Sequence, residues 1–490
     1  MRKSGILMHI SSLPDPYGIG TVGGKCAYEF VDFLQAAGQA YWQILPLSPT
    51  GYGDSPYQSF STFAANPYLI DLEALMEMGL LERAEVEAVD WGRGDRVDFG
   101  CMYYKRLPLL RRAYERYQPS DGFRTYIREN WDWLEDYALF MALKEKFSGA
   151  EWLKWPRELA LREPAALAEM REELKGTMRF HYFLQYVFQC LWSEQRAYAH
   201  EKGIRIIGDV PIYVPLDSAD VWANPELFQL DAERRPIKVA GCPPDSFTAD
   251  GQLWGNPLYD WDKMKAAGYD WWIRRLRAAG TMYDVIRLDH FRGFESYWAV
   301  PAGDKTAAGG SWQPGPAQDF VYAIQKALPE LDFIAEDLGY VTPEVRQLQE
   351  DSGYPGMKVM QFAFDSRESG DYLPHTYPVN SVCYSGTHDN YTLVQWLETA
   401  SAADVEMARA YLGLNKEEGF VKGLIRGCMG SVSRLCVIQM QDYLELGAEA
   451  RMNFPGTLSQ ANWTWRASSD FATAELAAKI REITRRYGRI

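Results

Sequence analysis

Short apolar runs that end in polar residues recur along this chain of 490 residues. Runs bounded by turn residues are typical of buried strands, whereas apolar residues spaced three or four apart are typical of helices. Eight runs predict strands: Gly5–Ile10, Tyr41–Leu47, Ile204–Val210, Asp284–His290, Asp332–Leu338, Met357–Phe364, Ser381–His388 and Arg434–Gln441. Most are separated by helical patterns, such as Lys25–Gly38, Asp270–Gly280 and Ala317–Leu328. Strand and helix alternating eight times predict a (β/α)8 barrel, an α/β fold.

The spacing of these runs predicts two insertions into the barrel. Leu47 and Ile204 lie much farther apart than an ordinary βα connection allows. Residues 52–200 contain amphipathic helical patterns, among them NWDWLEDYALFMALKEKF, so we expect a mainly helical subdomain on the rim. Residues 211–269 predict a smaller, loop-rich insertion at the carboxyl-end rim. The chain ends in the helical pattern FATAELAAKIREITRRYGR, so we expect one barrel domain over residues 1–490 without a C-terminal β-domain.

Charged residues end the fourth predicted strand, in the stretch YDVIRLDHFRGF. A buried charge costs several kcal/mol unless it is paired or used. Alternate residues share one face of a strand, so Arg287 and Asp289 point one way while Ile286 and Leu288 point the other. In a barrel, the charged pair would face the axis near the carboxyl end, where such folds carry their active sites. The neighbouring cation would keep Asp289 ionised, as a carboxylate nucleophile requires.

Other predicted strands also deliver acidic or histidine side chains to this rim. The fifth ends in FIAEDLG, the seventh in SGTHDNYT and the third in IIGDVPIY, which supply Glu336, His388 with Asp389, and Asp209. A protonated glutamate opposite an ionised aspartate is the pair used in retaining glycoside cleavage, which suits Glu336 and Asp289. One carboxylate at a strand end is more often a helix cap or a surface ion pair, but four such strand ends favour a catalytic rim.

Composition narrows the class of partner. The net charge of −15, without a Lys/Arg-rich run, argues against nucleic acid and anionic membranes. No stretch is long and apolar enough for a membrane span, and the N-terminal run lacks the features of a signal peptide. Aromatic residues make up 14% of the chain; most would fill the core, and the surplus suits sugar rings, whose C–H faces pack on aromatic rings.

The cysteine pattern and the search for cofactor motifs bear on the cellular compartment and on cofactor binding. Seven scattered cysteines without CxxC pairs suggest neither a disulfide framework nor a zinc site, and predict a reduced, cytoplasmic compartment. The chain has no Walker A motif. We therefore expect no cofactor and no metal ion.

Several longer motifs resemble one family. RLDHFRGF, AEDLG and GTHDN resemble the catalytic strand ends of the α-amylase clan. HISSLPDPYGIG, GDSPYQSFSTFAANPYLI, GDVPIYV, PPDSFTADGQLWGNPLYDW and NFPGTLSQANWTWR resemble its amylomaltase branch, the 4-alpha-glucanotransferases or disproportionating enzymes. The resemblance extends over essentially the whole chain, and its motifs are long and in order. It implies a retaining transferase that moves α-1,4-glucan segments between maltooligosaccharide, starch or glycogen chains.

The resemblance also implies residue roles. Asp289 would be the nucleophile, Glu336 the general acid and base, and Asp389 the stabiliser of the oxocarbenium-like transition state. Arg287 would orient Asp289, His388 would bind hydroxyls of the cleaved glucose, and Tyr57 would stack on that glucose. Further candidates for lining the groove are Asp209, His290, Asp245, Trp254, Asn256 and Asn462.

Other interpretations of these residues stay open. Without the resemblance, Tyr57 fits a turn aromatic equally well, and Trp254, in a loop pattern, fits packing as well as ligand binding. An α-amylase-like hydrolase would use the same carboxylates and differ only in that water attacks the intermediate. A two-metal hydrolase would need an H-x-H pair on the first strand, where only His9 occurs. A glucan-binding protein without catalysis would not need all three acids. The oligomeric state is not predicted.

Overall fold

The computed structural model describes residues 2–51, 53–244, 250–339, 341–366 and 372–490. These residues form twelve strands: β1 (Lys3–Leu7), β2 (Tyr41–Gln43), β3 (Arg205–Val210), β4 (Lys238–Cys242), β5 (Gln252–Pro257), β6 (Val285–Leu288), β7 (Ser296–Pro301), β8 (Ser311–Pro314), β9 (Asp332–Ala335), β10 (Gly356–Val359), β11 (Ser381–Tyr384) and β12 (Leu435–Gln439).

Eight of the strands close into a parallel barrel. Their order around it is β1-β12-β11-β10-β9-β6-β3-β2, and all neighbouring pairs are parallel. These eight strands fall within or overlap the eight runs predicted from the sequence, so the (β/α)8 barrel is confirmed. Most are shorter than the runs, because the polar residues at their carboxyl ends leave the ladder; after β10, for example, the chain turns into a 3-10 helix at Met360–Phe364.

Helices cover the outside of the barrel. One follows β1 (Lys25–Ala36), and the others outside the long β2–β3 connection are Ala219–Ala223, Trp261–Ala266, Asp270–Met282, Ala317–Ala327, Pro343–Ser352, Leu393–Thr399, Ala402–Leu412, Phe420–Gly430, Met440–Tyr443 and Ala474–Arg486. Local sequence explains their ends. For Pro343–Ser352, the Thr342 side chain accepts from the Val345 N–H, proline occupies the first turn, and Gly353 follows in the left-handed conformation.

The connection between β2 and β3 is mainly helical. Its α-helices are Leu72–Glu77, Arg83–Glu87, Phe99–Cys101, Leu107–Arg116, Asp121–Glu129, Trp131–Lys146, Arg157–Ala160, Pro164–Glu173 and Lys175–Glu201, with a π-helical segment at Met102–Arg106. In Lys175–Glu201, Phe180, Leu184, Val187 and Leu191 recur at three- or four-residue spacing and are buried. This longest helix packs on Trp131–Lys146 and joins the insertion to the barrel's main hydrophobic core.

A second, four-stranded sheet stands beside the barrel. Its order is β5-β4-β7-β8, and its neighbouring strands are antiparallel. β4 and β5 lie within 211–269, the segment expected to be rich in loops, while β7 and β8 follow β6. Each of these strands contains a glycine or a proline, and so gave no clear strand pattern in the sequence.

After β12, the described residues form short helices and loops and the final helix, Ala474–Arg486, without a further sheet. Within the described part of the chain, no helix combines the length and the apolar character that crossing a membrane requires.

Candidate active site

A groove with a volume of about 3000 Å³ opens at the carboxyl ends of the barrel strands. Because parallel strands of a barrel all end on one side, side chains distant in sequence meet there. The predicted site residues that line this groove are Tyr57, Trp254, Asn256, Arg287, Asp289, His290, Glu336, His388, Asp389 and Asn462. Asp245 lies outside the described residues.

Asp289 and Glu336 come from neighbouring strands. The main-chain hydrogen bonds between β6 and β9 continue past both strand ends, since the Glu336 N–H donates to the Leu288 carbonyl oxygen (3.0 Å) and the Phe291 N–H to the Glu336 carbonyl oxygen (2.9 Å). On the other side, the Asp289 N–H donates to the Val210 carbonyl oxygen of β3 (3.1 Å). The backbone therefore holds both carboxyl-bearing residues at one end of the barrel.

Arg287 joins two carboxylates. Its Nη1 donates to Asp289 Oδ1 (2.9 Å) and to both oxygens of Asp209 (2.8 and 2.6 Å). Arg287 and Asp209 are only 4% and 2% exposed, so the pair is removed from water. Burial alone would lower the pKa of Arg287, but Asp209 and then Asp289 raise that pKa well above its usual value. The arginine is therefore a permanent cation beside Asp289.

Asp209 contacts the site through Arg287 and Tyr57. Its Oδ2 also accepts from the Tyr57 hydroxyl (2.7 Å), so its carboxylate is occupied by Arg287 and Tyr57 beneath the groove. Tyr57 is held on its other side by His388, whose ring stacks on the tyrosine at a centroid distance of 4.9 Å. Burial and the Asp209 carboxylate raise the pKa of Tyr57 well above its usual value, so this hydroxyl keeps its proton.

Glu336 is buried and bound by the backbone. Its Oε2 accepts from the His290 N–H (2.7 Å) and its Oε1 from the Leu338 N–H (2.8 Å). Burial raises the pKa of Glu336 to about 7; Arg287 opposes that rise and Asp289 adds to it. Burial is the largest of these effects. Glu336 is thus suited to holding a proton at neutral pH.

The turn after β6 directs a main-chain N–H towards Glu336. His290 has φ 48° and ψ 50°, the left-handed conformation that residues other than glycine rarely adopt. Its N–H meets Glu336, while its ring lies edge-on to Trp254 at a centroid distance of 4.8 Å. Burial lowers the pKa of His290 to about 4, so its ring is neutral at neutral pH. Strain of this kind is typical of active sites.

Asp389 lies in the loop that follows β11. Its Oδ1 accepts from the Asn453 side-chain amide (2.6 Å) and lies 3.5 Å from His388 Nε2. The Asp389 side chain is 43% exposed and remains open to the groove. His388 is buried between the ring of Tyr57 and that of Trp463, at centroid distances of 4.9 and 5.8 Å.

Two of the predicted amides and one tryptophan have protein partners as well as groove surface. Asn256 Oδ1 is 3.4 Å from Gln58 Nε2, and Trp254 Nε1 donates to Gln252 Oε1 (3.2 Å). Asn462 holds its own loop together, because its Oδ1 accepts from the Phe454 N–H and its Nδ2 donates to the Thr457 carbonyl oxygen (both 3.1 Å).

Three residues at this site were not predicted from the sequence. Asn453 binds Asp389, Trp463 packs on Tyr57 and His388, and Arg451 contacts the loop that carries Asp389. Asn453 and Trp463 lie inside the motif NFPGTLSQANWTWR, so that motif could have suggested them. Nothing in the sequence pattern distinguishes Arg451.

Comparison with known proteins gives extensive matches. The sequence profile of a family described as 4-alpha-glucanotransferase matches residues 8–472. A 4-alpha-glucanotransferase of Clostridium butyricum is 48% identical over 487 residues, covering 98% of this chain and 100% of that protein. One from Thermus thermophilus is 46% identical, covering 98% of this chain and 97% of that protein.

Solved structures agree with these matches. An amylomaltase from Streptococcus agalactiae, solved in complex with acarbose, superposes with a TM-score of 0.97 at 40% identity and 100% coverage of both chains. An amylomaltase from Corynebacterium glutamicum, at 19% identity, shares the fold with a TM-score of 0.79 over 99% of this chain and 75% of that one.

Proposed function

This chain belongs to the 4-alpha-glucanotransferase family, and we propose that it performs this transfer by two successive displacements at the groove described above. In the first, an Asp289 carboxylate oxygen attacks C1 of a glucose unit in the donor chain. Glu336 gives its proton to the glycosidic oxygen, the C1–O bond breaks, and the shortened chain leaves. The product is a glucosyl ester on Asp289.

In the second displacement, Glu336 acts as a base. Its carboxylate takes the proton of an acceptor 4-hydroxyl, whose oxygen attacks C1 while the bond to Asp289 breaks. The new α-1,4 bond has the original anomeric configuration, and both carboxyl groups return to their starting states. The pKa of Glu336, about 7, supports this double role because each form is accessible near neutral pH.

The remaining site residues bind or stabilise. Asp389 stabilises positive charge on the sugar ring in the transition state, and His388 and Tyr57 form one wall around the cleaved glucose. Arg287 and Asp209 hold Asp289 and Tyr57, while His290, Trp254, Asn256 and Asn462 line other parts of the groove. Asp245 is a further candidate for substrate contact.

The observation that carries this proposal is the contrast between the two carboxyl groups. Asp289 accepts a hydrogen bond from a permanent cation, whereas Glu336 is buried, accepts from two main-chain N–H groups and has a pKa raised to about 7. Retaining cleavage requires this division into nucleophile and acid. The acarbose bound by the Streptococcus agalactiae amylomaltase supports a sugar-chain ligand for this groove too.

The groove and the cysteines support proposals for the substrates and for the cellular compartment. The donors and acceptors are α-1,4-glucans, from maltooligosaccharides to starch or glycogen chains, since the long groove is open at the surface. A cytoplasmic location fits the seven free cysteines, four of which are buried in the described fold.

Incubation with maltotriose tests transfer against hydrolysis. Transfer between chains gives glucose together with a ladder of maltooligosaccharides longer than maltotriose, without a gain in total reducing ends. An α-amylase-like hydrolase would instead give shorter sugars and new reducing ends in proportion to bonds broken. Chromatography and a reducing-end assay on one sample distinguish the two, and Asp289→Asn is the inactive control.

A further inference from the structure

The loop with His388 and Asp389 is not held by the barrel ladder. β11 ends at Tyr384, before this loop. Gln361 and Gln439 hold the far part of the loop through the Tyr391 carbonyl oxygen. Residues 451–454 hold the part with His388 and Asp389: the Asn453 N–H donates to the His388 carbonyl oxygen (3.1 Å), and the Asn453 side chain donates to Asp389 Oδ1 (2.6 Å). The position of Asp389 therefore depends on the placement of this segment.

Arg451 fastens the segment to the loop. Its Nη2 donates to the Asp389 carbonyl oxygen (2.6 Å) and its Nε to the Asn453 carbonyl oxygen (2.8 Å). The guanidinium lies over two aromatic rings, 4.4 Å from the centroid of Tyr391 and 4.3 Å from that of Phe454. One planar cation thus contacts both sides of the junction and is itself held by a ring from each.

We propose that Arg451 is a positioning residue for Asp389. It aligns the Asp389 backbone with the 451–454 segment, so that the Asn453 amide reaches one carboxylate oxygen and the other faces the groove. This inference rests on the proposed role of Asp389 in the transition state. Arg451 acts on the reaction indirectly, because the described contacts of its guanidinium are with main-chain carbonyls and aromatic rings and not with a reacting carboxylate.

The chemistry of the junction requires arginine. A guanidinium stacks flat on aromatic rings while its edge donates in two fixed directions. Lysine has one compact ammonium, which cannot keep both ring contacts and both carbonyl contacts. Arg451→Lys keeps the positive charge but loses the planar group that stacks on the rings and donates in two fixed directions. It therefore tests positioning rather than electrostatics.

The expected signature is a loss of turnover. A carboxylate that stabilises the transition state contributes little to ground-state binding, so its displacement lowers kcat more than it raises KM. For Arg451→Lys with maltotriose, we expect kcat to fall about 10- to 100-fold and KM to change less than about threefold. The exposed Arg409, paired with Glu406, offers a matched control: Arg409→Lys keeps wild-type kinetics.

A double-mutant cycle with Asn453→Ala separates positioning from general damage. This substitution removes the amide on Asp389 but leaves the main-chain groups that Arg451 contacts. If Arg451 acts by presenting that amide, the double variant has a kcat within about threefold of Asn453→Ala alone. Fully multiplicative losses would overturn the proposal, as would an Arg451→Lys kcat within about twofold of wild type.

A milder variant covers the case in which Arg451→Lys does not fold. Phe454→Leu removes one ring from the guanidinium and should lower kcat in the same way, with an unchanged melting temperature; an unchanged kcat would overturn the proposal. Asp389→Asn distinguishes the two levels of inference. Wild-type turnover in that variant would refute the role of Asp389 itself, whereas an inactive Asp389→Asn beside a normal Arg451→Lys would refute only the role of Arg451.

Discussion

Arg287 shows how one side chain sets the state of several others. Its Nη1 reaches three oxygens of two carboxylates, and its field opposes the rise in the pKa of Glu336. A buried cation without these partners would be costly, and the two aspartates without the cation would repel each other. Asp289 and the groups that support it are therefore one electrostatic unit.

We predict that Arg287→Lys lowers kcat by about 100-fold or more, since lysine cannot reproduce the contacts with both aspartates at once. Steady-state kinetics with maltotriose measure the change. Arg409→Lys, on an exposed helix, should behave as wild type. Near-normal turnover of Arg287→Lys would show that the reaction does not depend on the contacts of Arg287.

The protonation of Glu336 predicts a pH profile. The acid form carries out the first displacement, and its pKa is about 7, above the usual value for a glutamate. As pH rises through about 7, this form is lost, so kcat/KM should decline about tenfold per pH unit above that value. The measurement is kcat/KM for maltotriose from pH 5 to 9, in steps of about half a unit. Activity that stays constant up to pH 9 would show that Glu336 is not the acid.

The separation of the two catalytic carboxyl groups is a further prediction. For a retaining mechanism, Asp289 and Glu336 should be about 5–5.5 Å apart in a crystal structure with a bound maltooligosaccharide. A gap of about 9 Å would leave room for a water molecule and would imply inversion.

Strand β3 depends on a close approach to a neighbouring side chain. A Cβ on Gly208 would lie 2.1 Å from Cγ of Tyr283, well inside van der Waals contact. The Tyr283 hydroxyl accepts from the Leu47 N–H (3.2 Å), so the ring cannot move without disturbing the segment that follows the neighbouring strand β2. Glycine at this position lets Asp209, the next residue, reach Arg287.

We therefore predict that Gly208→Ala lowers the free energy of unfolding by roughly 1–3 kcal/mol and reduces kcat as well, because Asp209 moves with the strand. Gly176→Ala is the matched control. Gly176 lies in the helix Lys175–Glu201, has open space around it, and should change stability by less than about 1 kcal/mol. Urea denaturation and kinetics on both variants give the comparison; equal stabilities would contradict the clash.

Closure of the whole barrel involves both ends of the chain. β1 pairs with β12, and Arg489 lies fully buried beside this pair. Its guanidinium donates to the carbonyl oxygens of Lys3, Ser433, Met429 and Ser431. The Lys3 carbonyl lies in β1, and the Ser433 carbonyl lies just before β12. Those of Met429 and Ser431 lie in and just after the preceding helix, Phe420–Gly430.

We predict that Arg489→Lys lowers the free energy of unfolding by about 2–4 kcal/mol, because lysine lacks the planar fork that donates to four main-chain carbonyl oxygens at once, of which only those of Met429 and Ser431 also accept from Arg2. Arg486→Lys, in an exposed pair with Glu482, should change it by less than about 0.5 kcal/mol. Thermal and urea denaturation measure both. A melting temperature equal to wild type in Arg489→Lys would mean that other contacts close the barrel.

Local pattern explains why the barrel and the acidic residues at its rim were predictable. A buried parallel strand needs a short apolar run, and a site at its carboxyl end needs polar residues directly after that run. Both features can therefore be recognised in consecutive residues of the sequence. Asp289 and Glu336 belong to this class. The antiparallel sheet β5-β4-β7-β8 did not, since each of its strands contains a glycine or a proline, which are depleted in strands.

Contacts between distant segments were decided only by the folded chain. Tyr57 and Asp209 are 152 positions apart, and Asn453 and Asp389 are 64 apart, yet each pair shares a hydrogen bond of 2.6 to 2.7 Å. Neither bond leaves a local periodic signal, because each depends on how a loop crosses the rim. Residue types and strand ends thus establish the kind of chemistry, whereas the packing of loops determines which polar groups orient the acids, since an unpaired buried polar group is too costly to leave.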